Sequence, residues 1–146
     1  MNDDPLLLLT DHATRILIDA ELRARQMRCD GTNGAHVLLA IPRTPRTFAK
    51  LILDELGIKL EHARTEVERA LRADESGAAS TDTIALIVEN ARSHSKNGRF
   101  PFVGSEHILL SIFELGEPCV RSAFERLGVA LHAAIACAER LIDEYG

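Results

Sequence analysis

The chain has 146 residues, of which 46% are hydrophobic and 27% charged, and it carries a formal net charge of -5. A chain of this length buries about two thirds of its unfolded surface in one domain without disulfide or metal staples. Its acidic balance gives no general attraction to a nucleic-acid backbone or an anionic membrane face, so neither is expected as a partner.

Aromatic residues make up 4% and Trp is absent, which leaves leucine and alanine to carry the core and favours helices over sheets. The leucine run at positions 6–9 is far too short to cross a bilayer and follows Asp3 and Asp4, where a secretory signal would be basic. No targeting segment is expected. At Thr10-Asp11 a capping pair opens a first helix, whose buried stripe Ala13, Ile16, Leu17, Ala20, Ala24 and Met27 keeps the i, i+3, i+4 spacing. A loop over 28–33 leads to a short apolar second helix over 35–41. Pro42 and Pro45 break the chain before a third helix that stops at Gly57. The fourth helix buries Leu60, Ala63, Val67 and Leu71, and a small, polar linker follows over 73–80.

The same order then recurs. Thr81-Asp82 opens a helix carrying Ile84, Ile87, Val88 and Ala91, and a loop over 97–104 precedes an apolar helix over 106–115. Gly116 and Pro118 break the chain, a third helix stops at Gly128, and a fourth buries Leu131, Ala134, Ile135, Ala138 and Ile142. His36 and His107, in the related segments HVLLAI and HILLSI, lie 71 residues apart, and the rest of both halves follows that register without a gap. A match of that length means duplication of a whole supersecondary unit. The expected fold is all-α: one domain over 1–146, a pseudo-two-fold bundle of two four-helix repeats (10–72 and 81–143), about eight helices in all.

Cys29, Cys119 and Cys137 form no CxxC pair, so neither a disulfide framework nor a zinc knuckle is indicated and a reducing, cytoplasmic location is expected. His36 and His107 sit on apolar helices in register. Either they are core histidines bonding a neighbouring loop, repeated with the unit, or they belong to a small metalloprotein or hydrolase, for which no HExxH or GxSxG signature is present. No cofactor is implied. The basic stretch 92–99 suits the negative end of a helix dipole.

The segment GSEHILLSI at 104–112, with FERLGV at 124–129 leading into a last amphipathic helix, resembles the second repeat of the amino-terminal domain of Clp-type AAA+ unfoldases, whose hallmark is G-T-E-H-I-L-L. The resemblance runs from Leu9 to about Ile142 and implies the double Clp repeat fold. It also implies a non-enzymatic module that docks substrates or adaptors, in some members proteins marked by arginine phosphorylation. The sequence has no G-x-x-x-x-G-K-[ST] phosphate loop, so the chain reads either as a separately encoded recruiting module or as a domain of a longer protein. The partner is expected to be a protein, and a monomer is the expected state. An accessory subunit of a Clp protease complex that reads no tag is the alternative.

Within that resemblance, Val103, Gly104, Ser105 and Glu106 are the expected ligand contacts. Helix amides would hold a phosphate, and the Glu106 carboxylate would accept from a guanidinium. The plainer role for the same pair is Ser105 as N-cap and Glu106 as a first-turn acid. Arg99, Phe100 and Phe102 in the preceding loop are the expected partner contacts. In the first copy Ala35 stands where the acid would be, so a second equivalent site is not expected unless Asp30 folds back to replace it.

Overall fold

A computed structural model describes residues 9–41, 46–74, 81–96 and 102–145. Eight helices make up the described part: α1 (Asp11–Gln26), α2 (Gly34–Ala40), α3 (Phe48–Glu55), α4 (Leu60–Ala73), α5 (Ile84–Lys96), α6 (Ser105–Leu115), α7 (Pro118–Leu127) and α8 (Leu131–Tyr145). The all-α expectation and its four helices per repeat hold. Pro42 and Pro45, the loop residues 97–101 and most of the linker lie outside the described residues.

The helix ends follow local chemistry. Thr10 caps α1, its hydroxyl accepting from Ala13 N at 3.2 Å, and Thr47 caps α3 through Lys50 N at 3.2 Å. At α5 the expected start is early: the helix begins at Ile84, with Asp82 Oδ1 accepting from Ile84 N and the Thr83 carbonyl receiving Ile87 N. The Thr81-Asp82 pair is therefore lead-in, displaced because Thr83 takes the cap position. Gly57 and Gly128 both sit at φ +75°, a left-handed conformation glycine adopts at little cost. Around each the same closing bonds form, Ile58 N to Leu53 O and Val129 N to Phe124 O, both at 3.1 Å.

One hydrophobic cluster takes residues from every helix, among them Ile16, Ala35, Ile52, Val67, Ile87, Ile108, Val120 and Ala134. The copies interlock: α4 packs on α7 and α3 on α8, while α3 reaches α6 and α2 reaches α7. Burying a side chain such as Ile16 or Ile87, both at most 1% exposed, stabilises the fold by roughly 1.5–3 kcal/mol. The copies are not identical inside. Phe113 and Phe124 meet edge-to-face at 5.4 Å, while the register partner of Phe124 is Leu53. Outside the helices, Leu9 pairs with Val103 and Thr10 N donates to Val103 O at 3.0 Å, which ties the chain entry to the approach of α6.

Candidate functional site: the mouths of two helices

The two short apolar helices, α2 and α6, point their amide ends at different surroundings, and the difference begins with the N-cap. Asn33 caps α2, its side chain accepting from Ala35 N at 3.0 Å. Gly104 takes the same position at α6 and has no side chain to offer. In both copies the histidine three residues on closes the turn: Asn33 N donates to His36 Nδ1 at 3.1 Å and Gly104 N to His107 Nδ1 at 2.9 Å. The reading of these histidines as core groups bonding adjacent loop backbone is borne out. Burial keeps them neutral, pushing His36 down to about 4 and lowering His107 against the opposing pull of Glu106.

The next amide distinguishes the copies. Gly34 N, the first of α2, donates to Glu117 Oε1 at 3.0 Å, and the other oxygen of that carboxylate accepts from Thr83 Oγ1 at 2.8 Å. An anion supplied by the second copy thus fills the α2 mouth, where every residue of the helix is buried. A β-carbon on Gly34 would meet Glu117 Oε1 at 2.7 Å and Ile112 Cγ2 at 3.2 Å, so glycine is needed for the close approach. Asp30 lines a groove between α1 and α5. At α6 the amides of Ser105 and Glu106 have no acceptor among the described residues.

Ser105 corrects its expected role. It is the first helical residue rather than the N-cap, it is 4% exposed, and its Oγ accepts from Ala49 N at 3.0 Å. Gly104 occupies the cap, so the hydroxyl instead reaches an orphan amide at the start of α3. Val103 is fully buried and engaged by Thr10 N through its carbonyl. Glu106 is half-buried, and its carboxylate folds back over Gly104, where any β-carbon would strike it.

Around this end of α6 lies a cleft of about 360 Å³ lined by His12, Phe48, Phe102 and residues 104–107. Phe102 is 51% exposed beside it. The other expected partner contacts, Arg99 and Phe100, lie outside the described residues. Of the sequence-derived set, the structure brings Gly104, Glu106 and Phe102 together with backbone amides, and turns the Val103 and Ser105 side chains inward. His12 was not singled out in the sequence, and only its 71-residue offset from Thr83 marks it.

A second feature is a groove of about 810 Å³ between α1 and α5, with Leu17, Ile18, Ile84 and Val88 on its walls and Glu21, Arg25 and Asp82 among its polar lining. Ile18 is 56% exposed. It lies off the buried stripe of α1, and an apolar residue in that position was the available signal. Cys119 is buried and donates to Ala70 O, its thiol pushed up to about 11 by burial and neighbouring acids. No described helix is long and apolar enough to cross a membrane.

The chain matches the Clp repeat (R) N-terminal domain over residues 8–126. It is 26% identical over 128 residues to the chaperone protein ClpB of Oceanobacillus iheyensis, covering 86% of this chain and 16% of that protein. It is 29% identical over 139 residues to the ATP-dependent Clp protease ATP-binding subunit ClpA homolog of Cyanidium caldarium, covering 92% of this chain and 16% of that protein. The chain therefore spans about a sixth of the length of these relatives. The N-terminal domain of ClpD from Arabidopsis thaliana has the same fold, with a TM-score of 0.74 at 19% identity over 98% of this chain and 99% of that one. So does the Hsp104 N-terminal domain of Candida albicans, with a TM-score of 0.71 at 20% identity over 91% and 90%. On this match and this fold, the chain belongs to the Clp repeat N-terminal domain family.

Proposed function

We propose that this chain is a non-enzymatic protein-binding module that recruits substrates or adaptors to a Clp ATPase system, with arginine-phosphorylated proteins as its ligand class. The observation that carries the reading is the pair of amides, Ser105 N and Glu106 N, left without described acceptors at the mouth of an 11-residue helix beside a carboxylate and an exposed aromatic ring. Helix amides and the positive dipole end attract the phosphate, worth about 0.3–1 kcal/mol at an exposed site from the dipole alone. A guanidinium nitrogen donates to the Glu106 carboxylate, and its flat face stacks on Phe102. Engaging the guanidinium draws that carboxylate off Gly104 and uncovers the amides.

Calorimetry with free phosphoarginine tests this, together with capture from lysate in its presence and absence. Affinity falls in Glu106→Ala and is retained when Ala35 is changed to Ser. Capture that free phosphoarginine does not compete away, or affinity unmoved by Glu106→Ala, rules the reading out. The apolar α1/α5 groove favours a second reading, in which the module docks on a protein of a Clp complex without reading a tag; substituting Ile18 with Asp would then abolish capture while Glu106→Ala leaves it unchanged.

A further inference from the structure

The internal duplication shows where an anion rests in a helix mouth of this kind, because the first copy holds one of the protein's own. There the Glu117 carboxylate lies between the first amide of α2, at 3.0 Å, and the Thr83 hydroxyl, at 2.8 Å. The 71-residue register carries Gly34 onto Ser105, Thr83 onto His12 and Glu117 onto Arg46. In the second copy the cradle keeps its amide, the hydroxyl becomes an imidazole, and the position that supplied a carboxylate supplies a guanidinium. No internal anion comes from that position, and His12 lines the cleft at α6.

His107 is among the residues that line the same cleft. His107 is 8% exposed, and its Nδ1 accepts from Gly104 N, which puts the proton of the neutral ring on Nε2. That nitrogen has no hydrogen-bond partner among the described residues, and neither has Nε2 of His36, its register partner in the first copy.

Building on the phosphoarginine reading, we propose that His12 is the specificity-determining contact for the phosphoryl group, donating to it opposite the Ser105 amide while Glu106 takes the guanidinium end. The arrangement accounts for discrimination. Glu106 alone attracts any guanidinium and repels a phosphate, so arginine itself would compete; a donor at His12 offsets the repulsion only when the phosphoryl group is present.

The test is calorimetry on the full chain with phosphoarginine, with arginine and with inorganic phosphate. Wild type binds phosphoarginine more tightly than arginine, at one site per chain. A hydrogen bond to a charged group is worth about tenfold in affinity, so His12→Ala weakens phosphoarginine by about that factor and leaves arginine unchanged. His12→Gln, which keeps an N–H donor, recovers part of the loss. Thr83→Val, the register partner in the first copy, leaves the affinity unchanged. Equal loss of arginine and phosphoarginine in His12→Ala, no loss at all, or the same loss in Thr83→Val overturns the assignment while leaving the site reading intact. Absence of phosphoarginine binding to wild type removes the site reading and this assignment together.

Discussion

Replacing Glu117 by alanine separates structural from recognition carboxylates, because Glu117 and Glu106 both lie at helix mouths but only Glu117 is hydrogen-bonded there. Glu117→Ala deletes the acceptor of Gly34 N at 3.0 Å and of Thr83 Oγ1 at 2.8 Å. Hydrogen bonds to charged groups contribute about 1.5–3 kcal/mol each in mutational data. Glu117 is half-buried, which favours the lower figure, but Gly34 N sits in a buried turn that water does not readily reach. The expected loss is about 2–4 kcal/mol, and at about 2–4 °C per kcal/mol for a domain of this size, Tm falls by about 4–16 °C. Glu106→Ala, whose carboxylate has no described hydrogen-bond partner in the free chain, should cost less than about 0.5 kcal/mol. Urea unfolding followed by far-UV circular dichroism, at fixed pH and with unchanged m, measures both. Equal losses, or a Glu117→Ala loss below about 1 kcal/mol, would show that the interlock between copies is not where the stability lies.

Burial sets a pH dependence. His36 is held near 4 in the folded chain against 6.5 when unfolded, so between those values the unfolded state binds more protons and stability rises with pH. About 3 kcal/mol present above pH 6.5 is lost on descending to pH 4, with His107 acting in the same direction; a flat unfolding free energy over that window would contradict neutral, buried capping histidines. Gly57→Ala and Gly128→Ala should each cost about 1 kcal/mol, and by the same amount, since both sit at φ +75° with nothing within 4 Å of an added β-carbon. A clear inequality in chemical denaturation would mean the copies do not share that stop. Gly34→Ala should destabilise more than Gly104→Ala, because its β-carbon meets Ile112 as well as Glu117, whereas at Gly104 only the end of the Glu106 side chain must move; thermal melts of the two variants rank them.

The chain's own letters determined the duplication, the helix order and the paired glycine stops, because each rests on signals within a few residues: apolar spacing, capping residues and left-handed turns. They also indicated that the two helix mouths differ, since Ala35 and Glu106 occupy the same register position. Which group fills each mouth was decided by tertiary structure. Glu117 reaches Gly34 across 83 residues, and Ser105 leaves its own helix to accept from Ala49 across 56. Such partners are set by how two copies interlock around one core, and no local period encodes that. For the same reason His12, unremarkable on the first turn of α1, gained its place beside Glu106 only when the bundle closed.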